Sequence, residues 1–263
     1  MCRMFGFSAA LPATVQQSLL LEPNALKVQS QEHPDGWGIG YYAEGQPTPR
    51  LVRSINCAFA DAEFAQMATA VSARTVIAHV RRASCGPIAL QNTHPFHHEQ
   101  WLFAHNGTVS RFADIRAQLE AEIDPDLRAA VKGETDSERF FLLLLTRLRA
   151  RVPLAAPCPV SVMGLAILET VALIHRLADV ADGEPSSLTV ILSDGLSLVA
   201  YRDGRSLHYS AAAPTPHPSG APGSELMVAS EVTSAERSWT EVPAKGLIGI
   251  EHAQRLYRRE PEG

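Results

Sequence analysis

A cysteine, Cys2, stands directly behind the initiator Met1. Initiator methionine is generally removed when the next residue is as small as cysteine. Removal would leave one residue carrying both a thiol, with an ordinary pKa of about 8.5, and a free α-amine of about 8, so that the amine can take the thiol proton directly or through water. Nucleophile and base then share one carbon framework. On position alone, the plainer alternative is an early cysteine lying inert in a buried strand. Cys57, Cys85 and Cys158 lie far apart with no Cys-x-x-Cys pair, which suggests neither a disulfide framework nor a zinc ribbon. His94, His97, His98 and His105 cluster in sequence, but no His-Glu-x-x-His or cysteine pair accompanies them, and no metal is expected. Glu134 and Glu138 stand at a spacing that is routine on a solvated helix face.

Further clusters accompany Cys2: His33-Pro34-Asp35-Gly36-Trp37-Gly38, Ala78-His79-Val80-Arg81-Arg82-Ala83, Asn92-Thr93-His94-Pro95-Phe96, Ala104-His105-Asn106-Gly107 and Gly133-Glu134-Thr135-Asp136-Ser137-Glu138. In this order and spacing they resemble the class II glutamine amidotransferases, which are N-terminal-nucleophile hydrolases, and within them the stand-alone YafJ-type members. The likeness runs from Cys2 to about Glu138 and continues more weakly in Ser193-Asp194-Gly195 and Ala229-Ser230-Glu231. It implies that Cys2 attacks a γ-carboxamide and forms a thioester, with the Asn106 side-chain N–H and the Gly107 backbone N–H stabilising the oxyanion. It further implies that Arg81 clamps the substrate α-carboxylate, that Asp136 accepts the α-ammonium, and that His94 lies in the substrate pocket. Asp35-Gly36-Trp37-Gly38 would shape and cover that pocket.

Each residue also has a plainer reading. Asn106-Gly107 alone reads as a hairpin turn, Arg81 as a surface arginine at a strand end, and Asp136 as a charge favouring a helix N-terminus. The chain departs from many fused family members in carrying Arg82 where they have tryptophan and Ser84-Cys85 where they have Thr-His. The expected partner is a small molecule, glutamine or a γ-glutamyl peptide, and no cofactor is implied. Two alternatives stay open: a catalytically inactive module binding a γ-glutamyl ligand or partner protein, and a subunit supplying ammonia to a separate synthase.

The elements that must position these groups are legible as patterns. Apolar alternation suggests strands near Met4 to Ser8, Gly38 to Ala43, Leu51 to Ile55, Thr75 to Val80 and Trp101 to His105. Thr14 with Gln17 reads as a capping box opening a helix from Thr14 to Leu21, with further helices at Ala62 to Val71 and Phe112 to Glu122. Thr135 can cap a helix whose Phe140, Phe141, Leu144, Leu145 and Leu148 recur at helical spacing, and a second apolar helix runs from about Val160 to Leu177. Short β runs at Leu188 to Leu192, Leu198 to Tyr201 and Leu207 to Tyr209, separated by Asp194-Gly195 and Asp203-Gly204, suggest an antiparallel meander. Leu226 to Ala229 and Leu247 to Ile250 are expected to join it, and Ala211 to Gly223 reads as a surface loop. The fold class is α+β: two sheets with helices on their outer faces. The resemblance sharpens this to a four-layer αββα sandwich of two mainly antiparallel sheets, spanning residues 1–263 as one domain.

Composition agrees. The 263 residues are 46% hydrophobic and 19% charged, which supports a sizeable core. A net charge of -5 gives no electrostatic reason to expect nucleic acid or an anionic membrane. The apolar stretch Val160 to Ile174 is short for a membrane span and carries Glu169, and a cytoplasmic location is expected.

Overall fold

The computed structural model describes residues 2–212, 225–251 and 255–260. In chain order, β1 (Arg3–Thr14), α1 (Leu26–Gln29), β2 (Trp37–Tyr41), β3 (Arg50–Ser54), α2 (Ala62–Ala70), β4 (Ser72–Val80), β5 (Phe96–His98) and β6 (Trp101–Thr108) precede four helices. These are α3 (Phe112–Ala121), α4 (Pro125–Ala129), α5 (Asp136–Arg149) and α6 (Val160–Ala178). Then follow β7 (Ser187–Ser193), β8 (Leu198–Tyr201), β9 (His208–Ala212), β10 (Glu225–Ala229), β11 (Thr240–Glu241), β12 (Leu247–Ile250) and β13 (Leu256–Arg259).

The strands form two sheets, ordered β11-β9-β10-β1-β4-β2-β3 and β13-β12-β8-β7-β6-β5, and every strand pairing is antiparallel. The strand alternation sorts side chains between layers. Phe5 and Phe7 of β1 face outward, where they join Leu26, Phe64 and Ala68 of the α1 and α2 layer. Met4 of the same strand faces inward, in the core shared with Ile77, Leu102, Ile191 and Ala200. In β6, Phe103 faces the far helical layer with Phe140, Leu144 and Ile167. The result is helix, sheet, sheet, helix: the four-layer αββα sandwich. Both faces of each sheet are therefore buried, which explains strands such as β7 in which every residue is buried.

Several expected elements shift. Thr14 caps no helix; it ends β1, and only a five-residue π-helical turn without a side-chain cap follows at Gln17–Leu21. The strand survives Pro12 because its register slips between Ser8 and Ala13, after which Ala13 and Thr14 pair again with Ala73 and Ser72. The expected single meander is two separate structures. Asp194-Gly195 does turn β7 into β8, but after Asp203-Gly204 the chain leaves the second sheet, and β9 pairs with β10 in the first. Asp203 explains the break: its backbone bonds Leu188 and the Thr189 hydroxyl, holding this turn on the second sheet while the next strand departs. Helix α6 is 19 residues long, and by length and composition it could cross a membrane. Here it packs on α3, α5 and the second sheet with Met163, Ile167 and Ile174 buried. Of the stretch from Ala211 to Gly223, residues 211 and 212 end β9 and the rest lies outside the described residues.

Candidate active site

Cys2 lies at the head of β1, the central strand of the first sheet. Its Sγ accepts from the Arg82 amide at 3.3 Å and lies 3.4 Å from the Arg82 carbonyl. The thiol opens into a cavity of about 110 Å³ whose other walls are Arg82, Ala83, Ser84, Gly107 and Thr108. The Asp35-Gly36-Trp37-Gly38 segment holds that wall. Asp35 Oδ2 accepts from the Ala83 amide at 2.8 Å, and the Arg81 backbone exchanges hydrogen bonds with Asp35 and Gly36. Gly36 sits at φ 129°, a backbone conformation that disfavours any side chain.

Burial pushes the Cys2 thiol pKa up, more than the Arg82 amide and the Arg81 charge pull it down. The sulfur is thus a protonated thiol at neutral pH and needs a base to attack anything.

Arg81 is buried, not a surface residue at a strand end. Its guanidinium donates to the carbonyls of Cys85, Gly86 and Pro87 at 3.0, 3.1 and 3.1 Å. No carboxylate pairs with it among the described residues. Asp136 begins α5; one oxygen accepts from the Val109 amide at 2.7 Å and the other from the amide and hydroxyl of Ser137. Its charge lies close enough to raise the Cys2 pKa, as that of Arg81 is close enough to lower it.

Asn106 and Gly107 do not form a hairpin turn. Both lie within β6, paired with Thr189 and Leu188 of β7. The glycine is required for close approach: a Cβ there would overlap the Ser187 carbonyl oxygen and come within 2.6 Å of His105 Nε2. Asn106 Nδ2 donates to Ser230 Oγ at 3.2 Å, and the same hydroxyl accepts from the Met4 amide at 3.0 Å. Asn106 therefore retains a second side-chain N–H. Ser230 is a residue the motifs undervalued, since its only signal is the weak Ala229-Ser230-Glu231 likeness.

Two acidic readings change. Glu134 is exposed and precedes the helix, whereas Glu138 is buried, not on a solvated face. Thr135 caps α5 by accepting from the Glu138 amide at 3.2 Å, as the pattern suggests. The Glu138 carboxylate then folds back to accept from the amides of Lys132 and Gly133 at 2.9 and 2.7 Å. The Gly133-to-Glu138 motif is thus a self-braced loop, and Asn92 ties it to the Arg81 loop by bonding the Glu134 amide and the Pro87 carbonyl.

His94 stands apart from the cysteine cavity. It stacks on His79 at 4.3 Å and packs on Phe96 at 4.5 Å, and among the described residues no ring nitrogen of either histidine has a partner. Burial lowers His79 to about 3 and His94 well below the usual range, so both are neutral. His105 instead bonds Ser137 Oγ at 2.9 Å and the Ser187 carbonyl at 3.0 Å; a carbonyl only accepts, which puts the proton on Nε2. Among the described residues no three His, Cys, Asp or Glu side chains converge to hold a metal.

A four-layer sandwich with a cysteine at the head of its central strand, facing an Asn-Gly pair on the opposing sheet, defines an N-terminal-nucleophile amidotransferase fold. The chain belongs to the class-II glutamine amidotransferases, whose family model matches residues 1–221. It is 28% identical to the gamma-glutamyl-hercynylcysteine sulfoxide hydrolase of Mycolicibacterium smegmatis over 265 residues, covering 96% of this chain and 97% of that one. It is 29% identical to the putative glutamine amidotransferase YafJ of Escherichia coli K12, covering 76% and 72% of the two chains. An uncharacterized Methanocaldococcus jannaschii protein is 33% identical, but the match spans 57% of this chain and only 40% of that one. Among solved structures, a glutamine aminotransferase class-II domain protein from Silicibacter pomeroyi superposes with a TM-score of 0.66 at 22% identity, covering 98% and 99% of the chains. Glutamine PRPP amidotransferase from B. subtilis gives a TM-score of 0.64 at 16% identity, covering 98% of this chain and 49% of that one.

Proposed function

We propose that this protein hydrolyses the γ-amide of glutamine or of a γ-glutamyl compound through a thioester on Cys2, once Met1 has been removed. The observation that carries this reading is the shared cavity of Cys2 and Gly107, with the Asn106 amide anchored beside it on Ser230. The α-amine of Cys2 takes the thiol proton as sulfur bonds to the γ-carbonyl carbon. The oxyanion accepts from the free Asn106 N–H and the Gly107 amide. The C–N bond then breaks as the α-ammonium returns its proton to the departing amine, and water hydrolyses the thioester to free glutamate.

The raised thiol pKa supports a role for the amine, because a protonated thiol with no base beside it is a poor nucleophile. Arg81, buried and unpaired with any carboxylate among the described residues, suits a substrate α-carboxylate, and Asp136 suits the α-ammonium; together they would fix the far carbonyl against the sulfur. His94 contributes to the shape of the intersheet layer. The test is intact mass plus labelling with a glutamine-like electrophile. An active preparation starts at Cys2 and is labelled there once, and Cys2→Ala abolishes label and turnover together. Activity in protein that keeps Met1, or in Cys2→Ala, would sink the mechanism, and absence of any γ-glutamyl turnover in processed protein would favour a binding module.

A further inference from the structure

A second cleft, of about 310 Å³, lies where β3 and β5, the edge strands of the two sheets, come together beside α5. Its polar walls are Arg53 of β3, Gln91, His97 and His98 of β5, Lys132, and Glu138 of α5. None of these residues lines the Cys2 cavity, so the cleft is a separate place on the molecule.

Two cations converge there without a counter-ion. The Arg53 guanidinium is half-buried and donates once, to the Thr93 carbonyl at 3.0 Å. Its other N–H groups have no partner among the described residues, yet they are not sealed from solvent. The Lys132 ammonium is exposed and likewise has no partner among the described residues. Glu138 supplies no balancing charge to either. Its carboxylate oxygens accept from the backbone amides of Lys132 and Gly133, and Arg139 lies 3.4 Å from one of them. Burial, and then the charges of Arg53 and Lys132, lower the His97 pKa, so its ring is neutral at pH 7 and keeps one N–H to donate. The Gln91 amide has no side-chain bond and can turn its N–H₂ end inward. Taking a charge out of water is costly unless it is paired, and a guanidinium fork fits two oxygens of one carboxylate or phosphate. The remaining wall is apolar, with exposed Leu90 at the rim and Phe96 and Phe141 behind it.

We infer that this cleft binds a small organic anion, a phosphate ester or carboxylate with an apolar portion. Its oxygens would accept from Arg53 and Lys132, and its apolar portion would lie against Leu90, Phe96 and Phe141. The inference does not depend on the Cys2 reading.

Calorimetry on the full chain with phenyl phosphate, benzoate and neutral benzamide tests it. At least one anion is expected to bind tenfold or more tightly than benzamide, and the tighter of the two tells a phosphate ester from a carboxylate. Arg53→Gln is expected to weaken that anion by on the order of tenfold or more, as for loss of a charge-assisted contact. Arg53→Lys should recover part of the loss. Lys132→Gln, at an exposed position, should weaken it by about threefold and decides the matter if Arg53→Gln does not fold. Failure of both anions to bind, or benzamide binding as tightly as they do, overturns the inference. So does an affinity unmoved by folded Arg53→Gln, which would put the anion elsewhere, such as at Arg81.

Discussion

Replacing Ser230 by alanine tests the seat of the proposed oxyanion donor, Asn106, without touching any group proposed to contact substrate. The hydroxyl accepts from the Met4 backbone amide at 3.0 Å and from Asn106 Nδ2 at 3.2 Å, and Ser230 is 1% exposed. Removing it leaves two buried donors without an acceptor. Each such orphan costs about 1–3 kcal/mol, so the loss of stability should be about 2–6 kcal/mol. For a chain of this size that corresponds to a fall in Tm of about 4–24 °C.

The kinetic effect is bounded separately. Losing an oxyanion donor outright costs about 10²–10³ in rate, and Asn106→Ala should approach that. Ser230→Ala keeps the amide but loosens it, so kcat should fall by about tenfold, with KM nearly constant because Arg81 and Asp136, the proposed substrate contacts, are anchored elsewhere. Urea denaturation followed by fluorescence and initial-rate kinetics on glutamine measure both. A variant with wild-type stability and wild-type kcat would show that Ser230 positions nothing, and a rise in KM at constant kcat would place it in ground-state binding instead.

Two further outcomes follow, one from β6 at the site and one from the end of α6. Gly107→Ala should destabilise the protein by about 1–3 kcal/mol or more, because its Cβ overlaps the Ser187 carbonyl and crowds His105; an unchanged denaturation midpoint would contradict the close approach of β6 and β7. His175 bonds Asp203 and Asp179 at 2.6 Å each, and the Asp203 bond, with that to Asp179, raises its pKa above 6.5 despite partial burial. The protonated form is thus favoured in the folded state: the stabilisation is full below about pH 6.5 and is lost as pH rises through the raised value. Denaturation midpoints of wild type and His175→Gln should therefore differ most near pH 5.5 and converge toward pH 9, and a constant gap would refute the linkage.

The sequence showed the core elements best where one physical pattern dominates. Thr135 and the Phe140-to-Leu148 stripe marked α5 because cap and apolar face agree, and Leu226 to Ala229 marked β10 by its apolar run alone. It misled where local chemistry has two solutions. Thr14 and Gln17 have the residue types of a capping box, but pairing with β4 keeps Thr14 extended, and a partner 58 residues away in Ser72 leaves no local trace. Asp203-Gly204 specifies a turn without specifying which sheet the next strand joins. Asn106-Gly107 has hairpin composition taken alone, but the neighbouring motifs already argue against a turn, and the glycine admits the Ser187 carbonyl. For the candidate site, the motifs singled out Cys2, Asn106, Gly107, Arg81, Asp136 and His94, of which His94 lies away from the cysteine cavity, whereas the bond from Asn106 to Ser230 became visible only when chain-distant segments were brought together.

The position of β1 has a consequence for biosynthesis. Its neighbours in the sheet are β4 and β10, so the strand that carries the cysteine is completed only by residues more than 200 positions later, and Met4 is bonded to Ser230 on both its amide and its carbonyl. A nascent chain stalled on the ribosome before Ser230 would already expose the thiol but could not seat it. Pairings of such long sequence separation form slowly. Any reactivity at Cys2 should therefore lag synthesis of the residue by most of the translation time, because its strand is completed only when β10 has arrived.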